Sequence, residues 1–332
     1  MLDIYPRAAF DIYNKIKMTF PHDVDELCEQ IHKACKGLGT DEKTLVEILG
    51  PRSARQRTLV GIRYKELYNQ SLLELIRSET SGDLGFLLRL IVMPLPEAEA
   101  YILNKACKGV GTTENLIYPI IVGRPTEELD VLKKAYFAKY DEDLAVMLNG
   151  ELSGDFSQII MTSLQAPVVP YNPSFHTKAK AAEDAEALYK AGEGKWGTDE
   201  KSFLKILLAA PAKYIQMLDA AYTEKYGHGL LKAIAAEFSG SSKNALDYLV
   251  RLVLDPYDLI AEKIEGAMKG FGTDEQKLSA YLVRYHKYQA KIEQAYEEKY
   301  KTTLRERVKG EASGDYLALL NHVMDAPVSH AA

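Results

Sequence analysis

Apolar residues fall into one short pattern four times along the chain. They stand at Leu45, Ile48 and Leu49, at Ile117, Ile120 and Ile121, at Phe203, Ile206 and Leu207, and at Leu278, Tyr281 and Leu282. The spacing i, i+3, i+4 marks one buried face of a helix, so each copy predicts a short amphipathic helix. A start signal precedes each one. Thr40 can cap the first, and Asp41 and Glu42 place negative charge on its first turn, where the helix dipole favours it. Asp199-Glu200 and Asp274-Glu275 repeat this, and Thr113-Glu114 keeps part of it. Tyrosines recur four apart as Tyr64/Tyr68, Tyr136/Tyr140, Tyr222/Tyr226 and Tyr296/Tyr300, on one helical face each. Their expected role is core packing with the hydroxyls reaching the surface. No alternating pattern of useful length predicts a strand. The expected fold is all-α, built from four similar bundles of short helices.

The pattern belongs to a longer internal repeat. Gly-x-Gly-Thr occurs at Gly37-Leu38-Gly39-Thr40, Gly109-Val110-Gly111-Thr112 and Gly270-Phe271-Gly272-Thr273. A variant, Gly194-Lys195-Trp196-Gly197-Thr198, carries Lys in place of the first glycine. Each copy is followed about 40 residues later by an acid two positions before a Ser-Gly pair: Glu79, Glu151, Glu237 and Glu311. The fourth repeat is one residue short before Tyr296, which places a deletion in the turn near Val283. Ala166 to Pro173 carries three prolines and reads as an extended linker that separates the first pair of repeats from the second. The expected divisions are a head at 1–21, repeats at 22–93, 94–166, 177–253 and 254–327, a linker at 167–176 and a tail at 328–332.

Composition narrows the class. Of 332 residues, 47% are apolar and 27% charged, as in an ordinary globular protein rather than a disordered or disulfide-stapled one. No apolar run approaches the ~20 residues of a spanning helix, and the N-terminus lacks a signal-peptide pattern. Cys28, Cys35 and Cys107 cannot all pair among themselves, so a reduced, cytoplasmic protein is expected. A net charge of −6 argues against nonspecific binding of nucleic acid or anionic lipid through a basic field.

A metal can reverse that last point. Glycine loops between helices expose backbone carbonyls, which suit a hard cation. Calcium accepts six to eight oxygens, and one carboxylate beside each loop can contribute a bidentate contact. Glu79, Glu151 and Glu237 keep an offset of 40 residues from the last loop glycine and Glu311 one of 39, so Ca2+ is expected over a purely capping role for glycine and acid. The residue at each loop tip is apolar: Leu38, Val110, Trp196 and Phe271. An apolar tip beside a metal cage reads as a wedge for the lipid interface, where Trp is favoured. Lys36, Lys108, Lys195 and Lys269 stand close enough to meet lipid phosphates. Four divalent ions would carry the formal charge from −6 to +2, a calcium switch on membrane affinity.

Gly192-Glu-Gly194-Lys-Trp-Gly197 formally matches a dinucleotide fingerprint, but the segment before it is helical in composition rather than a strand. Asp141-Glu-Asp143 lacks the glycine and the twelfth-position Glu of an EF-hand loop. No phosphate-binding loop, zinc spacing or nucleophile triad is present, so no enzymatic activity is expected.

These residues together resemble the annexin family, whose signature is four repeats of about 70 residues with Gly-x-Gly-Thr and a distant acid. The resemblance covers about residues 22 to 327. It implies a curved disc of four five-helix repeats, with calcium sites on a convex face that docks on phosphatidylserine-type membranes. It also implies ligand sets of loop carbonyls plus the acid. These are Cys35, Gly37, Gly39 and Glu79, then Cys107, Gly109, Gly111 and Glu151. The third repeat, similar to a longer family loop in which a Trp swings out toward lipid, gives Gly192, Lys195, Gly197 and Glu237. The fourth gives Met268, Gly270, Gly272 and Glu311.

The expected partner is an anionic phospholipid membrane, with the protein cytoplasmic and peripheral on membranes when calcium rises. The cytoskeleton and self-assembly on membranes are further candidate partners, and no nucleic acid is expected. A rival reading is an ion-conducting protein, since Arg52, Arg124 and Arg284 recur one turn past the buried helix. Their simpler expected role is hydrogen bonding to loop carbonyls. In the head, Tyr5 and Tyr13 are candidates for phosphorylation, against the expectation that this segment packs on the repeats.

Overall fold

The computed structural model describes residues 2–6, 9–10, 19–108, 111–166, 169–270 and 272–328. Each repeat folds as five helices. The first has α1 (Val24–Ala34), α2 (Glu42–Leu49), α3 (Ala54–Tyr68), α4 (Leu72–Glu79) and α5 (Gly82–Val92). The second has α6 (Leu95–Cys107), α7 (Glu114–Ile121), α8 (Thr126–Tyr140), α9 (Leu144–Glu151) and α10 (Gly154–Gln165). The third has α11 (Lys178–Ala191), α12 (Glu200–Ala209), α13 (Ala212–Tyr226), α14 (Leu230–Glu237) and α15 (Gly240–Leu254). The fourth has α16 (Pro256–Met268), α17 (Glu275–Tyr285), α18 (Gln289–Tyr300), α19 (Leu304–Glu311) and α20 (Gly314–Asp325). No strand runs through the described residues.

The second helix of each repeat is where the sequence pattern placed it. Its apolar triplet is buried in every copy except Ile206, which is half-buried. Its cap differs from expectation. Asp41, Asp199 and Asp274 are the N-caps, and their carboxylates accept from the backbone N–H of Thr44, Ser202 and Lys277. Thr40 does not cap, because its hydroxyl is committed elsewhere, as described below.

The repeats pair out of chain order. One compact unit holds residues 4–102 with 260–332, and the other holds 103–259 with the first three residues. The proline-rich stretch therefore does not separate two spatial pairs. In the first unit α2 and α5 of repeat one pack on α20 and α17 of repeat four. In the second, α7 and α10 pack on α15, and α10 also meets α12. The second and fifth helices of each repeat are thus the apolar faces that neighbouring repeats cover.

Two local expectations shift. Pro167 and Val168 lie outside the described residues, but from Asn172 the linker turns instead of running extended. His176 is buried, its Nδ1 accepts from Asn172 N–H at 2.8 Å, and Tyr171 and Tyr214 flank its ring. The deletion in repeat four falls beyond Val283. There α17 runs on to Tyr285, a 3-10 turn spans His286–Tyr288, and α18 starts later than its counterparts.

The recurrent arginines split by role. Arg52 donates to a carbonyl, but to that of Ile48 in the last turn of α2 rather than to a loop carbonyl. Arg124 instead pairs with Glu128 at 2.8 Å and Arg284 with Glu99, both fully inside their own units. A buried guanidinium needs a compensating charge more than a neutral carbonyl. Glu99 also accepts from the Tyr5 hydroxyl at 2.5 Å, so this head residue is buried rather than offered for modification. Tyr13 lies outside the described residues.

Candidate functional site

The glycine loops join the first and second helix of each repeat. Their ends are tied by one backbone hydrogen bond. Asp41 donates to Ala34, Thr113 to Ala106, Asp199 to Ala191 and Asp274 to Ala267, at 2.7 to 2.9 Å. The closed loop is one residue longer in repeat three. Within it, Gly37 (φ +118°), Gly39 (+87°), Gly111 (+81°), Gly197 (+79°), Gly270 (+124°) and Gly272 (+93°) adopt positive φ. That conformation strains any residue with a Cβ. Lys195 is not among the positive-φ residues, so the added residue of loop three lets a lysine replace the first glycine.

Three of the distant acids, Glu79, Glu237 and Glu311, reach their loops. The Thr40 hydroxyl donates to the Glu79 carboxylate at 3.1 Å and to its carbonyl at 3.0 Å. Thr198 donates to Glu237 at 2.5 Å, and Thr273 donates to Glu311. A Cβ added at Gly192 would stand 2.9 Å from the Glu237 carboxyl carbon, so that acid lies against the loop backbone. Burial, and then the Glu151 charge, push the Cys107 thiol up to about 12. Burial and then Glu79 push Cys35 up to about 11. Thr40, Thr198 and Thr273 are therefore positioning residues, although Thr40 reads as a cap in the sequence.

The loop tips project. Leu38 has a relative exposure of 108% and Trp196 of 103%, so neither folds back on its bundle. Val110 and Phe271, with Gly109, lie outside the described residues. Lys36, Lys195 and Lys269 are exposed, whereas Lys108 is paired with Glu142 at 3.0 Å.

Beneath the loops the first tyrosine of each pair is buried, contrary to a hydroxyl at the surface. Tyr64 meets His32 Nδ1 at 3.0 Å, and Tyr136 accepts from Asn104 at 3.0 Å. Tyr222 donates to Glu193 at 2.7 Å and Tyr296 donates to Glu265. Each hydroxyl thus ties the third helix to the end of the first helix or its loop. The i, i+4 tyrosine rings lie 4.7 to 4.9 Å apart in all four repeats.

No cluster of three or more His, Cys, Asp or Glu that could hold a metal exists among the described residues. Any hard cation here must rely on backbone oxygens and one carboxylate. Loops one and three fit that donor set. Loop four does not. Arg307 donates to the Glu311 carboxylate, to the Met268 carbonyl at 2.5 Å and to Glu265 at 3.2 Å. A guanidinium already occupies two of the four groups that the pattern assigns to an ion, the Met268 carbonyl and the Glu311 carboxylate. The Thr273 hydroxyl, and after it Arg307, hold the Glu311 carboxyl below its usual range.

Four five-helix repeats, with an acid held against the glycine loop in the first, third and fourth, define a repeat protein that presents backbone oxygens at loops. The annexin family model matches residues 26–91, 98–162, 183–249 and 260–322. Annexin A7 of Dictyostelium discoideum is 34% identical over 304 residues, covering 90% of this chain but 64% of that longer protein. Annexin A13 of Homo sapiens is 34% identical over 299 residues, covering 90% of this chain and 94% of that one. The solved structure of calcium-bound annexin (Sm)1 aligns with a TM-score of 0.77 at 26% identity, over 92% of this chain and 91% of that one. The chain belongs to the annexin family, which is known for calcium-dependent phospholipid binding.

Proposed function

We propose that the chain binds anionic phospholipid membranes when calcium loads the loops of repeats one, two and three. The observation that carries this reading is an exposed apolar tip beside a carboxylate-bearing loop. Leu38 and Trp196 stand fully out of loops whose acids, Glu79 and Glu237, are held in place by Thr40 and Thr198. Calcium, when bound, neutralises the acid and leaves coordination positions for an outside phosphate oxygen. The chain's own residues do the rest. Cys35, Gly37 and Gly39 with Glu79 would hold the first ion. Cys107, Gly109 and Gly111 with Glu151 would hold the second, and Gly192, Lys195 and Gly197 with Glu237 the third. Leu38, Val110 and Trp196 enter the interface, and Lys36 and Lys195 meet phosphates.

This is a peripheral mode. No helix among the described residues is long and apolar enough to cross a membrane. The proposed role is binding rather than catalysis. The conducting reading is disfavoured by Arg124 and Arg284, whose charges are engaged by buried carboxylates.

Sedimentation with phosphatidylserine vesicles across a calcium titration tests the proposal. Glu79→Gln, Glu151→Gln and Glu237→Gln should each raise the calcium needed for half-binding by about tenfold, about 1.4 kcal/mol. Equal pelleting in chelator, or none at any calcium level, sinks the reading.

A further inference from the structure

The position one helical turn before the acid distinguishes the repeats. Four residues before Glu79 stands Leu75, before Glu151 Met147, and before Glu237 Ala233. All three are buried and apolar. Before Glu311 stands Arg307. On α19 the i, i+4 relation puts its guanidinium beside the Glu311 carboxylate. The side chain then reaches across to the end of α16, where it donates to the Met268 carbonyl, and Glu265 accepts a third bond. Tyr296 holds Glu265 from the other side. The planar fork of arginine suits several oxygens at once, and its charge is permanent.

We infer that Arg307 is the resident cation of the fourth loop and closes it to calcium, so the chain takes up ions at three loops rather than four. The inference rests on the calcium reading of the other loops but can fail separately from it. A calcium ion entering loop four must break the guanidinium bonds to Met268 and Glu311. It must then tolerate a fixed positive charge tethered to the same helix. The closed loop keeps its shape without metal, because the guanidinium supplies the charge that would otherwise be absent. Three divalent ions also bring the formal charge of −6 only to zero. Membrane attraction in the loaded state is therefore local to the loops rather than a property of net charge.

Calorimetric titration of the full chain with calcium alone, without lipid, tests this at millimolar concentration. Arg307→Leu, which copies Leu75, should bind one more ion than the parent chain. The gain should vanish in Arg307→Leu combined with Glu311→Gln. Arg307→Met copies Met147 and serves if circular dichroism shows the leucine variant unfolded. The fourth loop should bind at least tenfold more tightly in either variant than in the parent. No added ion in a folded variant overturns the inference, as does a parent chain that already binds at four loops. An ion bound by the variant but none by the parent upholds it while removing the proposed loading of loops one to three. No uptake by any of these chains overturns both.

Discussion

Repeats one and four share a unit, a loop sequence and an acid, yet their loops are in different states. In repeat one the Glu79 carboxylate accepts from Thr40 and Ser78 and faces a loop of glycine oxygens. In repeat four Glu311 keeps the matching threonine bond, but Arg307 takes its other oxygen and the Met268 carbonyl. The same acid and the same loop pattern thus occur with and without a guanidinium between them. On the inference above, the residue one turn before the acid decides which cation fills the loop. An apolar side chain there turns into the bundle, while a guanidinium turns into the loop.

The two repeats differ a second time at the deletion, and this gives the largest expected effect. The 3-10 turn His286–Tyr288 has no counterpart in repeat one. Burial, and then the Arg57 guanidinium of repeat one, depress the His286 imidazole from 6.5 to about 4. The folded chain keeps this group neutral, while the unfolded chain protonates it below pH 6.5. Stability from this group is thus complete above that pH and is lost as pH falls toward 4. The loss should be about 2 kcal/mol at pH 5. His286→Gln should flatten the urea midpoint between pH 7 and pH 5. An unchanged pH slope in that variant would assign the acid sensitivity to other groups.

Loop tips give the next effect. Burying an exposed Trp or Leu at a lipid interface is worth about 1.5 to 3 kcal/mol. Trp196→Ala should weaken calcium-dependent vesicle binding by about 30-fold, and Leu38→Ala by about tenfold. Calcium uptake without lipid should be unchanged in both. A fall in lipid-free uptake would show that the tips shape the loops instead of entering the membrane. That outcome would also remove the functional contrast between open loops and the closed fourth one.

Much of this was legible in the chain. The apolar triplets, the repeat period and the glycine loops each arise from local spacing, and the described residues of all three follow it. The acids were legible because three copies share one offset from the last loop glycine and the fourth is shorter by the single deleted residue. What escaped depends on which of two partners a polar side chain chooses. Thr40 reads as a cap, but Asp41 is one residue closer to the helix and takes the cap, leaving the hydroxyl for Glu79. Arg307 drew no reading in the sequence, since nothing local reports the Met268 carbonyl 39 residues away. The signal was present only across repeats, as a charge aligned with Leu75, Met147 and Ala233. Pairing of repeat one with repeat four is likewise invisible to a linear reading, because prolines mark a break in the chain and not which surfaces meet.

The smallest effect tests whether the tyrosine anchors also differ between the two loops. Tyr64 meets a neutral-capable imidazole, His32, at 3.0 Å, whereas Tyr296 donates to the Glu265 carboxylate. Bonds to charged groups are worth about 1.5 to 3 kcal/mol and neutral ones about 0.5 to 1.5. Glu265 retains Arg307 when the hydroxyl is removed, which reduces its loss toward the neutral value. Tyr64→Phe and Tyr296→Phe should therefore each cost about 1 kcal/mol in chemical denaturation. They should part in combination with Arg307→Leu. Glu265 then has neither donor, so the double variant should lose about 1 kcal/mol more than the two single losses together, whereas Tyr64→Phe with Arg307→Leu should be additive. Additivity in both pairs would show that Glu265 is satisfied by solvent, and that Arg307 is held in the fourth loop by Met268 and Glu311 alone.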